Sequence, residues 1–243
     1  MTVELAGRSA IVTGANGGLG TAVWKLFECS GARVLPVDLG VDGCFHADVA
    51  TEAGNQAMVD EAVSRHGGLD TLVLNAGVQH MAPIHEFPER EWDRLFDVIV
   101  KGPHLAIKAA WPYLTERPGG RIVVTASALS VLGERYKAGY VSAKHAVIGL
   151  VKVAALEGGA HGLCANAVAP GLMWTGLIER QLEDQMRLHN LTREQVVERI
   201  EESQPVRAVE TGEVAELIAF LASDRASGIS GTCIPVDLGF LVT

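Results

Sequence analysis

Residues 9–20 read SAIVTGANGGLG, an uncharged apolar run that leads into four glycines. A run that is apolar at successive positions fits a strand of a parallel sheet, because such strands are buried on both faces. Glycines permit a tight turn and a close approach of the backbone to a ligand, and the N-terminus of a following helix offers unpaired N–H groups to an anion. The stretch therefore predicts a strand, a turn and a helix that hold a pyrophosphate, with Gly14, Gly18 and Gly20 at the turn.

The same two kinds of segment alternate along the rest of the chain. Alternation of buried strands with helices indicates an α/β fold, and we expect residues 1–243 to form one domain, a doubly wound parallel sheet of the Rossmann type with helices on both faces. The predicted strands are residues 9–14, 33–38, 44–49, 70–77, 121–127, 163–171 and 232–239. The predicted helices are residues 18–30, 52–66, 89–117, 139–158 and 212–223.

One polar segment, residues 174–206, lies outside this alternation and has a helical pattern. It follows the Pro170-Gly171 turn at the end of a predicted strand. In open α/β sheets ligands bind beyond the carboxyl ends of the strands, so we predict a small helical lid over a substrate. The alternative is a solvated helical hairpin that only packs.

The composition excludes several classes of protein. A formal net charge of −9 without any basic run argues against nucleic-acid binding. No stretch reaches the roughly 18 uncharged apolar residues of a membrane span, and we expect a soluble cytoplasmic protein that does not enter a membrane. The cysteines have no metal-binding spacing, so we expect free thiols and no metal site. They are Cys29, Cys44, Cys164 and Cys233.

Asp38 ends the second predicted strand, about 20 residues after the glycines. A carboxylate there accepts hydrogen bonds from the hydroxyls of an adenosine ribose and repels a 2′-phosphate. Its neighbours Asn16, Gly17 and Leu39 supply no cation for such a phosphate. We therefore predict NAD and not NADP; the alternative for Asp38 is a turn residue at a strand end.

Only the five residues LGVDG, 39–43, separate Asp38 from the third predicted strand. Five residues are too few for a crossover helix, so we expect a loop there. Asp48 and Val49 then end the third strand, where they could bracket an adenine.

Tyr140 and Lys144 lie four residues apart in YVSAK, 140–144, at the start of a predicted helix. Residues at this spacing share a helix face, although many helices carry such a pair by chance. A phenolate at neutral pH needs about 4 kcal/mol of stabilisation. An ammonium roughly 4 to 5 Å away supplies about 3 to 4 kcal/mol at an effective dielectric constant near 20. We therefore expect Lys144 to make Tyr140 a usable base.

Several motifs in the same order resemble the short-chain dehydrogenase/reductase family over essentially the whole chain. The resemblance implies an NAD-dependent enzyme with Ser127, Tyr140 and Lys144 as catalytic residues. The matching pieces are TGANGGLG (13–20), Asp48, LNAG (74–77), Ser127, YVSAK (140–144), NAVAPG (166–171), Thr175 and VDLG (236–239). The residues assigned to the cofactor are Gly14, Asn16, Gly18, Leu19, Gly20, Asp38, Asp48, Val49, Asn75, Ala76, Gly77, Tyr140, Lys144, Pro170, Gly171 and Thr175.

The bacterial D-3-hydroxybutyrate dehydrogenases are the closer resemblance within that family. Their sequences are similar at AGVQHMAPIHEFPEREWD (76–93), GYVSAKH (139–145) and FLASD (220–224). The resemblance implies that Gln79, Lys137 and Gln181 hold a substrate carboxylate. Leu129 stands where the subfamily has a histidine, which favours a larger or less polar alcohol. For Lys137 the alternative is a solvated lysine at a helix start.

Three polar side chains are expected around the reacting atoms. The hydroxyl of Ser127 can hold the substrate oxygen beside Tyr140, although a strand-end serine explains it equally well without Tyr140. By resemblance Thr175 binds the nicotinamide carboxamide, and a helix N-cap is the local alternative. Asn75 either orients the sheet ends around the cofactor or is a purely structural amide.

Ile99 departs from the family, which has an asparagine there that supports a water path to the lysine. An aliphatic side chain neither donates nor accepts a hydrogen bond. We therefore hypothesise that a proton relay to Lys144 is impaired, or is rerouted through backbone carbonyls and water.

We conclude that the sequence predicts an NAD-dependent dehydrogenase of a small secondary alcohol or hydroxy acid, with 3-hydroxybutyrate as first candidate. A dihydrodiol or other cyclic-alcohol dehydrogenase is the alternative, favoured by Leu129. A non-catalytic NAD-binding protein, motivated by Ile99, is the alternative from another class. The long apolar helices predict a homo-oligomer, which is usually a tetramer in the family.

Overall fold

The computed structural model describes residues 4–40, 42–116 and 118–242, and within them a parallel sheet has seven strands in the order β3-β2-β1-β4-β5-β6-β7. Strands β1 and β4 are neighbours although they are far apart in sequence, so the winding direction reverses between them and a crevice opens at their carboxyl ends. The strands are β1 Ser9–Thr13, β2 Arg33–Asp38, β3 Phe45–His46, β4 Thr71–Leu74, β5 Arg121–Thr125, β6 Cys164–Pro170 and β7 Cys233–Val236.

Helices cover both faces of the sheet, as predicted. One core layer joins the sheet to α2, α4 and α5 through side chains such as Met58, Ile107 and Val147. The second layer joins the opposite face to α1 and α9 through Phe27 and Ile218. The helices are α1 Gly18–Cys29, α2 Glu52–His66, α3 Glu89–Phe96, α4 Gly102–Glu116, α5 Ala138–Gly158, α6 Gly176–Glu179, α7 Leu182–His189, α8 Arg193–Glu202 and α9 Thr211–Ala222.

The third predicted strand is much shorter than the expected residues 44–49, and Asp48 lies beyond its end. The Asp48 side chain accepts a hydrogen bond from Ala50 N at 2.9 Å, and Asp48 O accepts one from Thr51 Oγ1 at 2.9 Å. These bonds form a turn that leads into α2, and a residue in such a turn cannot continue a strand ladder. Strand β2 ends at Asp38, as predicted, and the remaining five strands end one to three residues earlier than predicted. Asn75, Ala76 and Gly77 therefore lie in a loop.

The single helix predicted over residues 89–117 is wrong in its middle. A π-helical turn, Asp97–Lys101, separates α3 from α4, and Gly102 N donates to Asp97 O five residues back. The next residue is Pro103, which has no N–H for an ordinary helical bond to Ile99 O. Residue 117, the predicted end, lies outside the described residues.

The segment at 174–206 is helical, as predicted: it contains α6, α7 and α8. Its helices form a wall of the cavity at the carboxyl ends of the strands. We use the name lid for residues 174–206.

The helix α5 and the turn after it, Ala138–His161, are long and apolar enough to span a membrane by composition, with 33% of the apolar window buried. The same helix packs on β6 and carries the predicted pair Tyr140 and Lys144. In this fold the long apolar helix α5 thus packs against the sheet.

Candidate active site

A cavity of about 810 Å³ opens at the carboxyl ends of the strands and runs from the glycine turn to the lid. It brings together every site residue predicted from the sequence except Gly20. The predicted residues that line it are Gly14, Asn16, Gly18, Leu19, Asp38, Asp48, Val49, Asn75, Ala76, Gly77, Gln79, Ser127, Leu129, Lys137, Tyr140, Lys144, Pro170, Gly171, Thr175 and Gln181.

Gly20 is buried and does not line the cavity, so the structure indicates a packing role in place of the predicted cofactor contact. A Cβ on Gly20 would lie 2.0 Å from Gly14 O. This glycine lets the first turn of α1 pack on the end of β1. It shapes the nucleotide cradle without facing the nucleotide.

The glycine turn itself leaves room for a ligand at the N-terminus of α1. Gly14 has a φ of +64°, and a Cβ there would lie 2.8 Å from the Cα of Ala76, so both conformation and space require glycine. The N-cap of α1 is Gly17, and no side chain caps the helix. Free backbone N–H groups at the start of a twelve-residue helix therefore face the cavity, which is the arrangement that binds a pyrophosphate.

Asp38 is held in place by backbone donors at the edge of this cradle. Its Oδ2 accepts from Asn16 N at 2.8 Å and its Oδ1 from Leu39 N at 2.7 Å. A carboxylate offers about four lone-pair sites, so both oxygens retain capacity for ribose hydroxyls. The residues present fit a bound dinucleotide.

Asn75 ties together the ends of three neighbouring strands. Its Nδ2 donates to Thr13 O and Gly14 O, each at 3.2 Å, and its Oδ1 accepts from Thr125 Oγ1 at 3.1 Å. The amide atoms are thus engaged within the protein. Of the two predicted roles, orientation of the sheet ends agrees with this geometry.

The three predicted catalytic side chains meet between β5 and α5. Ser127 follows β5, and its side chain hydrogen-bonds the Tyr140 phenol. Ser127 Oγ also accepts from Leu129 N at 3.1 Å, which fixes the hydroxyl. Lys144 Nζ lies 5.7 Å from the centre of the Tyr140 ring and donates to Thr125 O at 2.5 Å.

Burial opposes the ionisation of Tyr140 that we expect Lys144 to support. Burial raises the pKa of Tyr140 to about 12; the hydrogen bond from Ser127 lowers the pKa, and the charge of Glu134 raises it. Burial also lowers the pKa of Lys144 to about 8. The lysine carries its charge at pH 7, but the apolar surroundings of the phenol outweigh it. A usable base therefore needs the positive charge that an oxidised nicotinamide supplies beside the phenol.

The apolar surroundings of Tyr140 include Ile99. Ile99 is 2% exposed and packs with Leu95, Tyr140 and Ala143 in one cluster at the π-helical turn. No side-chain donor or acceptor replaces the family's asparagine at this position. Lys144 Nζ donates a hydrogen bond to the backbone carbonyl of Thr125. A backbone carbonyl beside the lysine agrees with the hypothesis that the relay is rerouted through backbone carbonyls and water.

Three of the four predicted substrate residues bring polar atoms to the cavity. Lys137 is 7% exposed, and its ammonium pairs with Glu134 at 2.9 Å. Gln181 Nε2 donates to Leu177 O at 2.9 Å, and its Oε1 is a buried acceptor without a partner among the described residues. Gln79 Oε1 accepts only a 3.3 Å bond from His80 N. The fourth residue, Leu129, adds apolar wall.

Thr175 stands at the N-cap position of α6, yet its side chain makes no capping hydrogen bond. The alternative role of Thr175, as a helix N-cap, is therefore not supported by a hydrogen bond. A Cβ on Gly18 would lie 3.0 Å from the methyl carbon of Thr175. The Thr175 side chain thus lies against the glycine turn at Gly18 and lines the same cavity.

The sequence analysis missed several charged residues that line the substrate end of the cavity. Glu134 and Arg135 come from the loop before α5, and Arg180, His189 and Arg199 from the lid. Charged residues in a loop or on a polar helix are normally solvated, so no pattern distinguished the ones that face inward.

Comparison with known proteins defines the class. A model of the enoyl-(acyl carrier protein) reductase family matches residues 14–241. The D-beta-hydroxybutyrate dehydrogenase of Rhizobium meliloti is 33% identical, over 96% of this chain and 98% of that protein. The cis-4-hydroxycyclohexanecarboxylate dehydrogenase of Sinomonas cyclohexanicum is 35% identical, over 99% of both. The crystal structure of levodione reductase superposes with a TM-score of 0.90 at 30% identity, covering 96% of this chain and 97% of that one.

The chain therefore belongs to the short-chain dehydrogenase/reductase family. The relatives named above are dehydrogenases and reductases, and this protein is an oxidoreductase of the same family.

Proposed function

We propose that the protein oxidises a small secondary alcohol or hydroxy acid with NAD, and catalyses the reverse reduction, with Tyr140 as the general base and acid. The observation that carries this proposal is the meeting of Tyr140, Ser127 and Lys144 in the same cavity as the glycine turn. A reacting carbon beside Tyr140 would thus share a site with the dinucleotide.

In oxidation the alcohol proton passes to the Tyr140 oxygen while the carbinol carbon loses a hydride and becomes a carbonyl. Bound NAD supplies the hydride acceptor and a positive charge. Ser127, fixed by Leu129 N, holds the substrate oxygen against the phenol. Lys144, buried and anchored to Thr125 O, contributes positive charge behind the ring. In reduction the protonated Tyr140 donates to the forming alkoxide.

Asp38 supports NAD over NADP. Its carboxylate is fixed by two backbone N–H groups, and a 2′-phosphate at this place would meet its negative charge. The arginines that line the neighbouring groove with Leu39, Arg90 and Arg94, are each paired with Glu91, at 3.2 and 3.0 Å.

A hydroxy acid is the first class of substrate, and the Rhizobium relative is named for one member of it, D-beta-hydroxybutyrate. Lys137, Gln79 and Gln181 supply polar groups near Tyr140. A cyclic alcohol or diol is the second candidate. It is favoured by the apolar Leu129 and by the free acceptor Oε1 of Gln181, which suits a hydroxyl donor.

Formation of reduced nicotinamide tests the activity. The purified protein is mixed with NAD and a panel of hydroxy acids, cyclic alcohols and diols, and absorbance of the reduced cofactor is followed. We expect turnover with at least one hydroxy acid or cyclic alcohol. Tight NAD binding without turnover of any of them would support the non-catalytic NAD-binding alternative and reject the proposal.

We also propose that the protein is a homo-oligomer that pairs through α5. The residues Ala146, Gly149, Val153 and Leu156 recur every three or four positions on an exposed face of this helix, and Leu156 is 82% exposed. Sedimentation should give a mass of two or four chains, and Leu156→Glu should dissociate it; a monomeric wild type would contradict this. The tetramer of the family and a cytoplasmic location stay predictions.

A further inference from the structure

Three arginines differ from all others in the described chain. The guanidinium groups of Arg135, Arg180 and Arg199 form no hydrogen bond or ion pair with any described residue. Every other described arginine contacts a carboxylate, a carbonyl oxygen or an aromatic ring. A guanidinium has five donors, so three guanidiniums without protein partners in one region keep their donors available to an anionic ligand.

All three line the same cavity, at its substrate end. Arg135 belongs to the loop before α5, whereas Arg180 and Arg199 belong to the lid, so two separate segments bring them together. Arg135 and Arg199 both act on His189: burial lowers the pKa of His189, and the two guanidiniums lower it further. They therefore lie near a common point.

The charge at this end of the cavity is not neutralised from within. Glu134 is the acidic residue that lines it there, and Glu134 is already paired with Lys137 at 2.9 Å. Lys137 and Tyr140 are buried, whereas Arg135, Arg180 and Arg199 are exposed at the rim. The positive charge of Lys137, next to Tyr140, is thus paired with Glu134. The positive charges of the three arginines at the rim have no such acidic partner among the described residues.

We propose that Arg135, Arg180 and Arg199 form an anion subsite at the rim, and that the substrate is a hydroxy acid whose carboxylate is separated from the carbinol carbon by a ring or a longer chain. This deepens the proposed function and rests on it. In 3-hydroxybutyrate a single methylene separates the two groups, which suits Lys137 and not the rim. Guanidinium groups bind carboxylates through paired, charge-assisted hydrogen bonds.

The turnover experiment compares cis-4-hydroxycyclohexanecarboxylate with its uncharged carboxamide and with 3-hydroxybutyrate. It uses the wild type, Arg135→Gln, Arg180→Gln, Arg199→Gln and the triple variant. The control is Arg187→Gln, because Arg187 lies on the same lid but pairs with Asp184 at 2.7 Å and does not line the cavity. We expect the wild type to prefer the cyclic acid over both the amide and 3-hydroxybutyrate.

Each single substitution at the rim should lower the acid-to-amide ratio of kcat/KM about two- to fivefold, mainly through KM, because each is one partly solvated charge contact. The triple variant should lose about tenfold or more, and Arg187→Gln should leave the ratio unchanged. A higher KM for NAD with an unchanged acid-to-amide ratio would assign the arginines to the cofactor and overturn the subsite.

A binding experiment separates this proposal from the activity itself. Titration calorimetry measures cyclohexanecarboxylate and cyclohexanecarboxamide on the NADH-loaded protein, and no turnover is needed. Tighter binding of the acid, lost in the triple variant and weakened by salt, supports the subsite even if no alcohol is oxidised. Equal binding of acid and amide to the wild type overturns it, whatever the activity.

Discussion

The two ends of the cavity are built by opposite means. The nucleotide end is made of backbone: the turn from Gly14 to Gly18, the free N–H groups of α1 and the backbone-anchored Asp38. The substrate end is made of long side chains from separate segments, the loop before α5 and the lid. A backbone cradle tolerates no added atoms, whereas a side-chain pocket can exchange one charge for another. We therefore expect a substitution to cost more at the nucleotide end than at the substrate end.

The largest expected effect on cofactor binding lies in the backbone cradle. Gly20→Ala would place a Cβ 2.0 Å from Gly14 O, so the first turn of α1 must move. We expect at least a tenfold loss of dinucleotide affinity, and a free energy of unfolding lower by about 1 to 3 kcal/mol. Fluorescence titration and thermal denaturation measure the two.

The matched control for that substitution is Gly212→Ala at the start of α9. A Cβ on Gly212 meets nothing within 4 Å. Its cofactor affinity and stability should equal those of the wild type. Equal behaviour of the two alanine variants would show that the nucleotide end is not sterically fixed.

The next effect concerns the charge behind Tyr140. The phenol is active in oxidation when deprotonated, and burial raises its pKa to about 12, so the oxidation rate should rise with pH and the reduction rate should fall. Lys144→Met removes a nearby positive charge and should shift the oxidation profile upward by about one to two pH units. Lys152→Met, on the exposed side of α5, is the control. If the pH profile of oxidation by Lys144→Met equals that of the wild type, the charge of the lysine does not affect the ionisation of Tyr140.

A smaller change should appear at Asp38. Asp38→Asn keeps the size of the side chain but removes the charge that repels a 2′-phosphate. The ratio of kcat/KM with NAD to that with NADP should fall roughly tenfold, since one charge contact at a partly solvated site contributes about 1 to 1.5 kcal/mol. Asp60→Asn on the exposed surface of α2 should leave the ratio unchanged. A wild type that prefers NADP would contradict the cofactor assignment.

The smallest effect on rate is expected at Ile99. Ile99→Asn places an amide near Lys144, where it could hold a relay water, and we expect a modest rise in turnover with a shifted pH profile. Burying the amide should lower the free energy of unfolding by about 1 to 3 kcal/mol. Ile99→Val is the control, because it also removes packing atoms from the cluster but adds no polar group. If turnover and pH profile stay unchanged in Ile99→Asn, the position has no relay role.

Prediction from sequence succeeded where backbone requirements are local. The glycine turn, Asp38 at a strand end and the Tyr140–Lys144 spacing each depend on a few consecutive residues. The doubly wound parallel sheet followed from the alternation of strands with helices. The interruption of the helix at 97–101 could have been read from Pro103, whose missing N–H breaks the helical hydrogen-bond pattern.

Prediction failed where burial and tertiary contacts decide. Nothing in YVSAK indicates that Tyr140 is enclosed by Ile99 and its neighbours, so the effect of burial on its pKa could not be predicted. The rim arginines are spread over 65 positions of sequence, from 135 to 199, and only folding brings them to one cavity. The role of Gly20 also needed coordinates, because a packing glycine and a ligand-facing glycine look alike in a motif.

The most direct test of the account is the rate of reduced-nicotinamide formation by Tyr140→Phe, measured with saturating NAD and the best alcohol of the panel. The substitution removes one oxygen and keeps the ring in its apolar cluster. We predict a loss of about a hundredfold or more in kcat, with NAD affinity preserved within about twofold. A phenylalanine variant that retains a tenth of the wild-type rate would show that the proton is taken elsewhere.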